Sequence, residues 1–165
     1  MTENITLTPE SLRTLAFLTH ATDDELRMLL PAAQIEQYPA GATIFHEGDH
    51  INHVFVVASG TAALEINGRN HTPRRIQTLH PGELLGWSPL LGTGAMTASA
   101  KALTQVRLVA FNAQMLLELC DRDPKFGFLL MRRTAAAIAA RLNATRLQLL
   151  DVYGTEHHNH PVGAR

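Results

Sequence analysis

The sequence predicts a mainly β domain, a roll of short strands held between helices at both ends of the chain. Three observations predict it. From Ile35 to Asn112 short apolar runs are broken by Gly, Pro, Asn and His, the spacing of a barrel or sandwich rather than of a parallel sheet. Before and after that stretch the apolar residues recur at intervals of three and four, the period of a helix. Near the C-terminus the recurrence becomes a heptad, the pattern of a coiled-coil seam.

At the N-terminus, Thr8-Pro9-Glu10 reads as a cap and first helical residues, opening a short helix through Leu12, Leu15 and Phe17. Thr22-Asp23-Asp24-Glu25 has capping-box spacing, the Glu lying three residues after the Thr. Leu26, Leu29 and Leu30 follow as an apolar stripe, with Pro31 near its end. Strands are expected over 35–38, 43–46, 53–59, 62–66, 74–79, 96–100 and 106–111. Asn67-Gly68 is a turn signal between two of them, and Gly41 and Gly60 punctuate others at positive φ. Asn112 caps a helix through Cys120, and Asp123-Pro124 opens a longer one. That helix carries Met131, Ala135, Ile138, Leu142, Thr145, Leu149 and Val152 at alternating spacings of four and three. A run from Asp123 to Tyr153 is ~46 Å long at 1.5 Å per residue. A small roll cannot cover both this stripe and the second face at Ala136, Ala140 and Leu147, so a homodimer through the helix is expected. Gly154 stands where a helix C-cap glycine belongs. The division is helices over 1–34, roll over 35–112, helices over 113–153 and a disordered tail over 154–165, all one domain.

Composition narrows the function classes. A formal net charge of -1 gives no pull towards nucleic acid or anionic lipid. One cysteine, Cys120, allows no internal disulfide, and the polar N-terminus lacks a signal pattern, so a cytoplasmic setting is expected. No apolar run approaches the ~20 residues that span a bilayer. No nucleophile elbow, Walker loop or paired-carboxylate motif is present, which points away from an enzyme.

Three segments carry a resemblance: GATIFHEGD (Gly41 to Asp49), VFVVASGTAALEI (Val54 to Ile66) and the stretch from Ile76 to Ala100. Together they resemble the cyclic-nucleotide-binding domain of catabolite-activator/FNR-type bacterial regulators and of cyclic-nucleotide-dependent kinases. The resemblance runs from about Phe17 to Tyr153. It implies a β-roll (a double-stranded β-helix, or jelly roll) and a long C-terminal helix that pairs protomers. It also implies a phosphate-binding cassette at 82–99, where a Glu holds the ribose and an Arg pairs with the cyclic phosphate. This sequence departs there: Trp87 takes the Glu position and Met96 the Arg position, and Ile76 to Ala100 holds no Arg or Lys. A partly buried phosphate needs pairing, and losing a charge-assisted pair costs ~1.5–3 kcal/mol.

The residues implied at the site are Leu85, Gly86, Trp87, Ser88, Met96, Thr97, Ala98, Ser99 and, from the long helix, Thr145, which falls where family members contact the base. Thr145 reads equally as a polar residue of the dimer seam. Glu83 copies the family's G-E-L triplet, but alignment on Gly86 puts it one turn too early. Arg74 and Arg75 read as a solvated strand face. Lys125, Arg132, Arg133, Arg141 and Arg146 on the long helix allow a basic patch for an acidic partner or a solvated outer face, and the solvated face is the simpler reading.

His46, His50 and His53, with Glu47 and Asp49 among them, allow a metal site or a solvated hairpin; the hairpin is the simpler reading and no metal is assigned. His157, His158 and His160 sit in the tail. Haem, used by some relatives of the fold, has no selected ligand here, and Cys120 reads as a buried thiol. Twelve residues follow Tyr153, too few for a helix-turn-helix motif, so DNA binding is not expected. The reading is a non-catalytic sensory or regulatory module of signal transduction, with no cofactor and with usual cAMP binding disabled, in which a small ligand or partner contact at the cassette shifts the long helix. Trp87 and Met96 either fill the cavity or line an apolar site for another small molecule. Two alternatives stand beside it: a constitutive dimeric scaffold acting through a protein partner, and a weak cAMP or cGMP binder using backbone donors and Thr97.

Overall fold

The computed structural model describes the backbone of residues 6–67, 72–92 and 94–156, and the side chains of all of these except 148 and 151–156. Two short helices come first, α1 (Pro9–Arg13) and α2 (Asp23–Leu29). Both start as their caps require: the Thr8 and Thr22 hydroxyls accept from the backbone N–H three residues on, and the side chains of Ser11 and Glu25 accept in return from the cap N–H. α1 is shorter than its stripe suggests, because the chain breaks at Thr14 and resumes as a 3-10 turn over Ala16–Leu18.

Eight strands follow: β1 (Ala33–Tyr38), β2 (Thr43–Phe45), β3 (His53–Ser59), β4 (Ala62–Asn67), β5 (Pro73–Leu79), β6 (Leu84–Leu85), β7 (Ser99–Ala102) and β8 (Val106–Asn112). They form two antiparallel four-stranded sheets, in the orders β1-β8-β3-β6 and β2-β7-β4-β5. β6 was not expected from the sequence; its two leucines pair with Phe55 and Val56 of β3. The expected strand over 96–100 begins instead at Ser99. Met96 precedes it in a loop, where its N–H and C=O bond Asp49 and Gly48 across the chain. Gly68 of the expected turn lies outside the described residues.

The run Val54-Phe55-Val56-Val57 reads as unbroken hydrophobicity because both faces of β3 are buried. Val54 and Val56 pack with Leu12, Leu26, Leu29 and Leu116 beneath the helices. Phe55 and Val57 point into the roll, against Phe45, Leu64, Leu85 and Leu108. One sheet therefore serves two cores.

Gly60 closes the β3–β4 connection at φ +81°. A Cβ there would lie 2.1 Å from the Gln105 carbonyl oxygen and 2.9 Å from the Thr104 hydroxyl. The neighbouring Thr61 N–H donates to that same hydroxyl at 3.0 Å, so the wall cannot retreat freely. Gly60→Ala is expected to cost at least ~2 kcal/mol of stability. Urea unfolding with an unchanged midpoint would count against this tight approach.

After the roll, the Asn112 side chain accepts from the Met115 N–H at 3.0 Å and starts α3 (Ala113–Arg122). Asp123 accepts from Lys125 and Phe126 N–H groups at 3.1 Å and starts α4 (Pro124–Glu156). α4 runs through Gly154 rather than capping there, so the helix passes the expected boundary at 153. Its 33 residues make it ~50 Å long. No helix of the described residues is long and apolar enough to cross a membrane.

A candidate ligand site between the cassette and the long helix

The cassette is built from β6, a 3-10 turn over Ser88–Leu91 and the loop leading into β7. Gly86 (φ +70°) turns the chain between β6 and Trp87. A Cβ at Gly86 would press on Met96 and Phe55 at 3.3 Å, so the glycine lets the cassette lie flat on the roll. The turn has four residues, too few to develop a helix dipole that could replace a lost cation.

Opposite this cassette, α4 presents a stripe that packs on the body: Phe126 and Leu130 are buried, Thr134 is buried with its hydroxyl donating to Leu130 O, and Ala137 and Arg141 continue the line. Arg141 is the residue that sequence reasoning misplaced. It does not lie on a solvated face. Its Nε donates to Gln77 Oε1 at 2.7 Å, its Nη2 donates to the Leu84 carbonyl at 3.2 Å, and its guanidinium carbon sits 3.8 Å above the centre of the Trp87 ring. Burial pulls its pKa down to about 10, and the field of Glu83 acts in the opposite direction. The group stays protonated at neutral pH, and among the described residues it has no carboxylate within ion-pair distance. A cation without a salt bridge here is held by an aromatic face and two neutral oxygens, each a modest contribution.

Arg141 was legible in part. Arg141 lies off the heptad stripe, which passes through 138 and 142, but on a second stripe of the helix, 126-130-134-137-141, with steps of four, four, three and four. A charged residue closing an otherwise apolar or small-residue stripe was the signal. What it reaches could not be read from spacing.

The nine expected site residues divide. Gly86, Trp87, Ser88, Met96, Thr97 and Ala98 line one small space together with Phe45, Leu64 and Arg141. Leu85 is fully buried and packs into the roll's core instead. Ser99 faces the other way and accepts from the Glu47 N–H at 2.9 Å. Thr145 donates its hydroxyl to Arg141 O, one turn back along α4. Thr97 is exposed at the rim, whereas Met96 is 3% exposed and fills the floor. The space left among these side chains is about 10 Å³, room for one water at most. Pockets for small organic ligands run to ~300–1,000 Å³.

A second space lies on the far side of Arg141. It measures about 190 Å³ and is lined by Phe17, Gln77, Leu79, Gly82, Glu83, Leu84, Ala137, Ala140 and Arg141. Glu83 belongs here, with its carboxylate accepting from the His80 N–H at 2.6 Å. Arg74 and Arg75 are exposed on β5 and take no part. His46 lies 3.6 Å from Asp49 in an exposed turn, and Asp49 also accepts from the His46 N–H. The residues 157–160, with their three histidines, lie outside the described residues. Cys120 is half-buried, and burial pushes its thiol pKa up.

Trp87 is the single tryptophan of the chain, so its fluorescence reports directly on the Arg141 contact. Arg141→Ala is expected to shift Trp87 emission to longer wavelength and to raise its quenching by acrylamide. An unchanged spectrum would show that the guanidinium does not cover the ring.

The sequence model of the cyclic nucleotide-binding domain matches residues 35–123. The cyclic AMP receptor protein of Thermus thermophilus is 34% identical over 126 residues, covering 76% of this chain and 56% of that protein. The chain thus spans about half the length of the curated relatives it matches. Among solved structures, the Thermus thermophilus catabolite activator protein superposes with a TM-score of 0.67 at 32% identity, over 84% of this chain and 63% of the other. The N-terminal domain of a transcriptional regulator from Streptomyces coelicolor superposes with 0.65 at 26% identity, over 79% and 93%. The superposed fold and the matched stretch agree, and the chain belongs to the cyclic nucleotide-binding domain family.

Proposed function

We propose that this domain is a non-catalytic regulatory module that does not take a cyclic nucleotide in the usual way and works as a homodimer through α4. The observation that carries the first part is the filled site: Met96 and Trp87 stand where the family has its Arg and Glu, and Arg141 closes the remaining space to about 10 Å³. A cyclic nucleotide would have to displace the Arg141–Trp87 contact and both Arg141 hydrogen bonds before entering. A filled site favours action through protein contacts, with α4 as the surface that changes or is presented. Isothermal titration of cAMP and cGMP into the purified protein tests this, and micromolar binding would overturn it.

Dimerisation is supported by what the body of the protein leaves uncovered on α4. The stripe that packs inward runs through Phe126, Leu130, Thr134, Ala137 and Arg141. The heptad stripe lies beside it, and Leu142 and Leu149 remain 58% and 52% exposed. Phe128, 66% exposed, extends the same three-and-four spacing one step before Met131. An apolar line of this length, free on an isolated protomer, is an interface in search of its partner. Several relatives are named as transcriptional regulators, some of them cAMP-activated, another is named as a cyclic AMP receptor protein, and one as a cGMP-dependent protein kinase. A regulatory role for this chain rests on that kinship.

A further inference from the structure

The cavity of about 190 Å³ beside Arg141 is separate from the filled cassette site and has a different chemistry. Its walls are apolar: Phe17, Leu79, Leu84, Ala137 and Ala140. Two opposite charges face it. Glu83 contributes a carboxylate from the β5–β6 turn, and Arg141 contributes a guanidinium from α4. They are close enough for the carboxylate's field to act on the guanidinium, yet they do not form an ion pair. Each also has capacity left. Arg141 spends Nε on Gln77 and Nη2 on Leu84 O, and among the described residues its Nη1 has no acceptor. Glu83 uses one oxygen on the His80 N–H.

Two opposite charges that share a cavity without touching leave a gap that a molecule with both charges can bridge. A lone anion would meet the Glu83 carboxylate, and a lone cation would meet Arg141; a zwitterion satisfies both. Size sets the rest. A cavity of ~150 Å³ accepts a benzene-sized guest, so this one suits about six to eight heavy atoms. We infer that the groove between Glu83 and Arg141 binds a small zwitterionic amino acid with a short apolar side chain, its carboxylate on Arg141 and its ammonium on Glu83. Because the same guanidinium covers Trp87, occupancy of this groove is felt at the cassette and along α4. The inference does not depend on whether the cassette binds cyclic nucleotide.

The test uses the whole protein and no mutation at first. Glycine, L-alanine and L-valine are titrated at up to millimolar concentration, beside propionate and propylamine, with Trp87 emission and titration calorimetry as readouts. Saturable binding of alanine or valine, at least tenfold tighter than propionate and propylamine, is the expected result. Equal binding of propionate would remove the role given to Glu83, and no saturable response to any amino acid would overturn the site. Glu83→Gln and Arg141→Gln, checked by circular dichroism for folding, are each expected to weaken alanine binding at least tenfold. Full-strength binding in either folded variant would also overturn it. cAMP binding in the same cell bears on the cassette alone, so the two readings fail separately.

Discussion

cAMP and cGMP, titrated into the wild-type protein at millimolar concentration, are expected to give neither heat nor a thermal shift. The reason is additive. The missing cassette Arg alone removes a charge-assisted pair of ~1.5–3 kcal/mol, ten- to a hundredfold or more in affinity. Trp87 removes the ribose carboxylate as well. The ligand must also open a space that is now about 10 Å³ and break two hydrogen bonds and a cation–π contact. The double change Trp87→Glu with Met96→Arg restores the family's charges at the two positions. It is expected to bring cAMP binding into the measurable range, a gain of at least about tenfold. Wild-type binding in the micromolar range would sink the closed-site reading. A folded double variant that stays blind to cAMP would show that Arg141, rather than the lost pair, sets the barrier.

Leu142→Asp combined with Leu149→Asp is expected to convert a dimer to a monomer. Burying a leucine contributes ~1.5–3 kcal/mol, and a dimer buries each position twice. A loss of several kcal/mol weakens association by more than about a hundredfold. The change falls on exposed positions of the isolated protomer, so its fold and its Trp87 emission should be preserved. Sedimentation equilibrium of wild type and variant decides the matter. A monomeric wild type, or a variant that remains dimeric, would dismiss α4 as the interface. Leu147 and Leu150, also exposed, lie off the heptad line and serve as comparison sites.

Local signals carried most of the fold. Caps at Thr8, Thr22, Asn112 and Asp123 mark helix starts because their oxygens satisfy N–H groups three residues away, a relation internal to a few residues. β3 and β8 were legible because a continuous apolar run suits a strand buried on both faces. β6 was not, since two leucines in a glycine-rich segment become a strand only when Phe55 and Val56 offer an edge. The shift of the seventh strand from Met96 to Ser99 has the same cause: Met96 bonds Gly48 and Asp49, residues far away in sequence.

The candidate site divides along the same line. The sequence by itself determined that Ile76 to Ala100 holds no Arg or Lys and carries Trp87 and Met96, because identity is read directly from residues. It also determined the heptad stripe of α4, a periodic property of one helix. Only the tertiary structure decided that Arg141 crosses to Trp87, that the space there is filled, and that a charged cavity lies behind it. Those facts depend on how the rotation of α4 meets the ends of β5 and β6, and contacts spanning 57 and 64 residues leave no trace in local spacing.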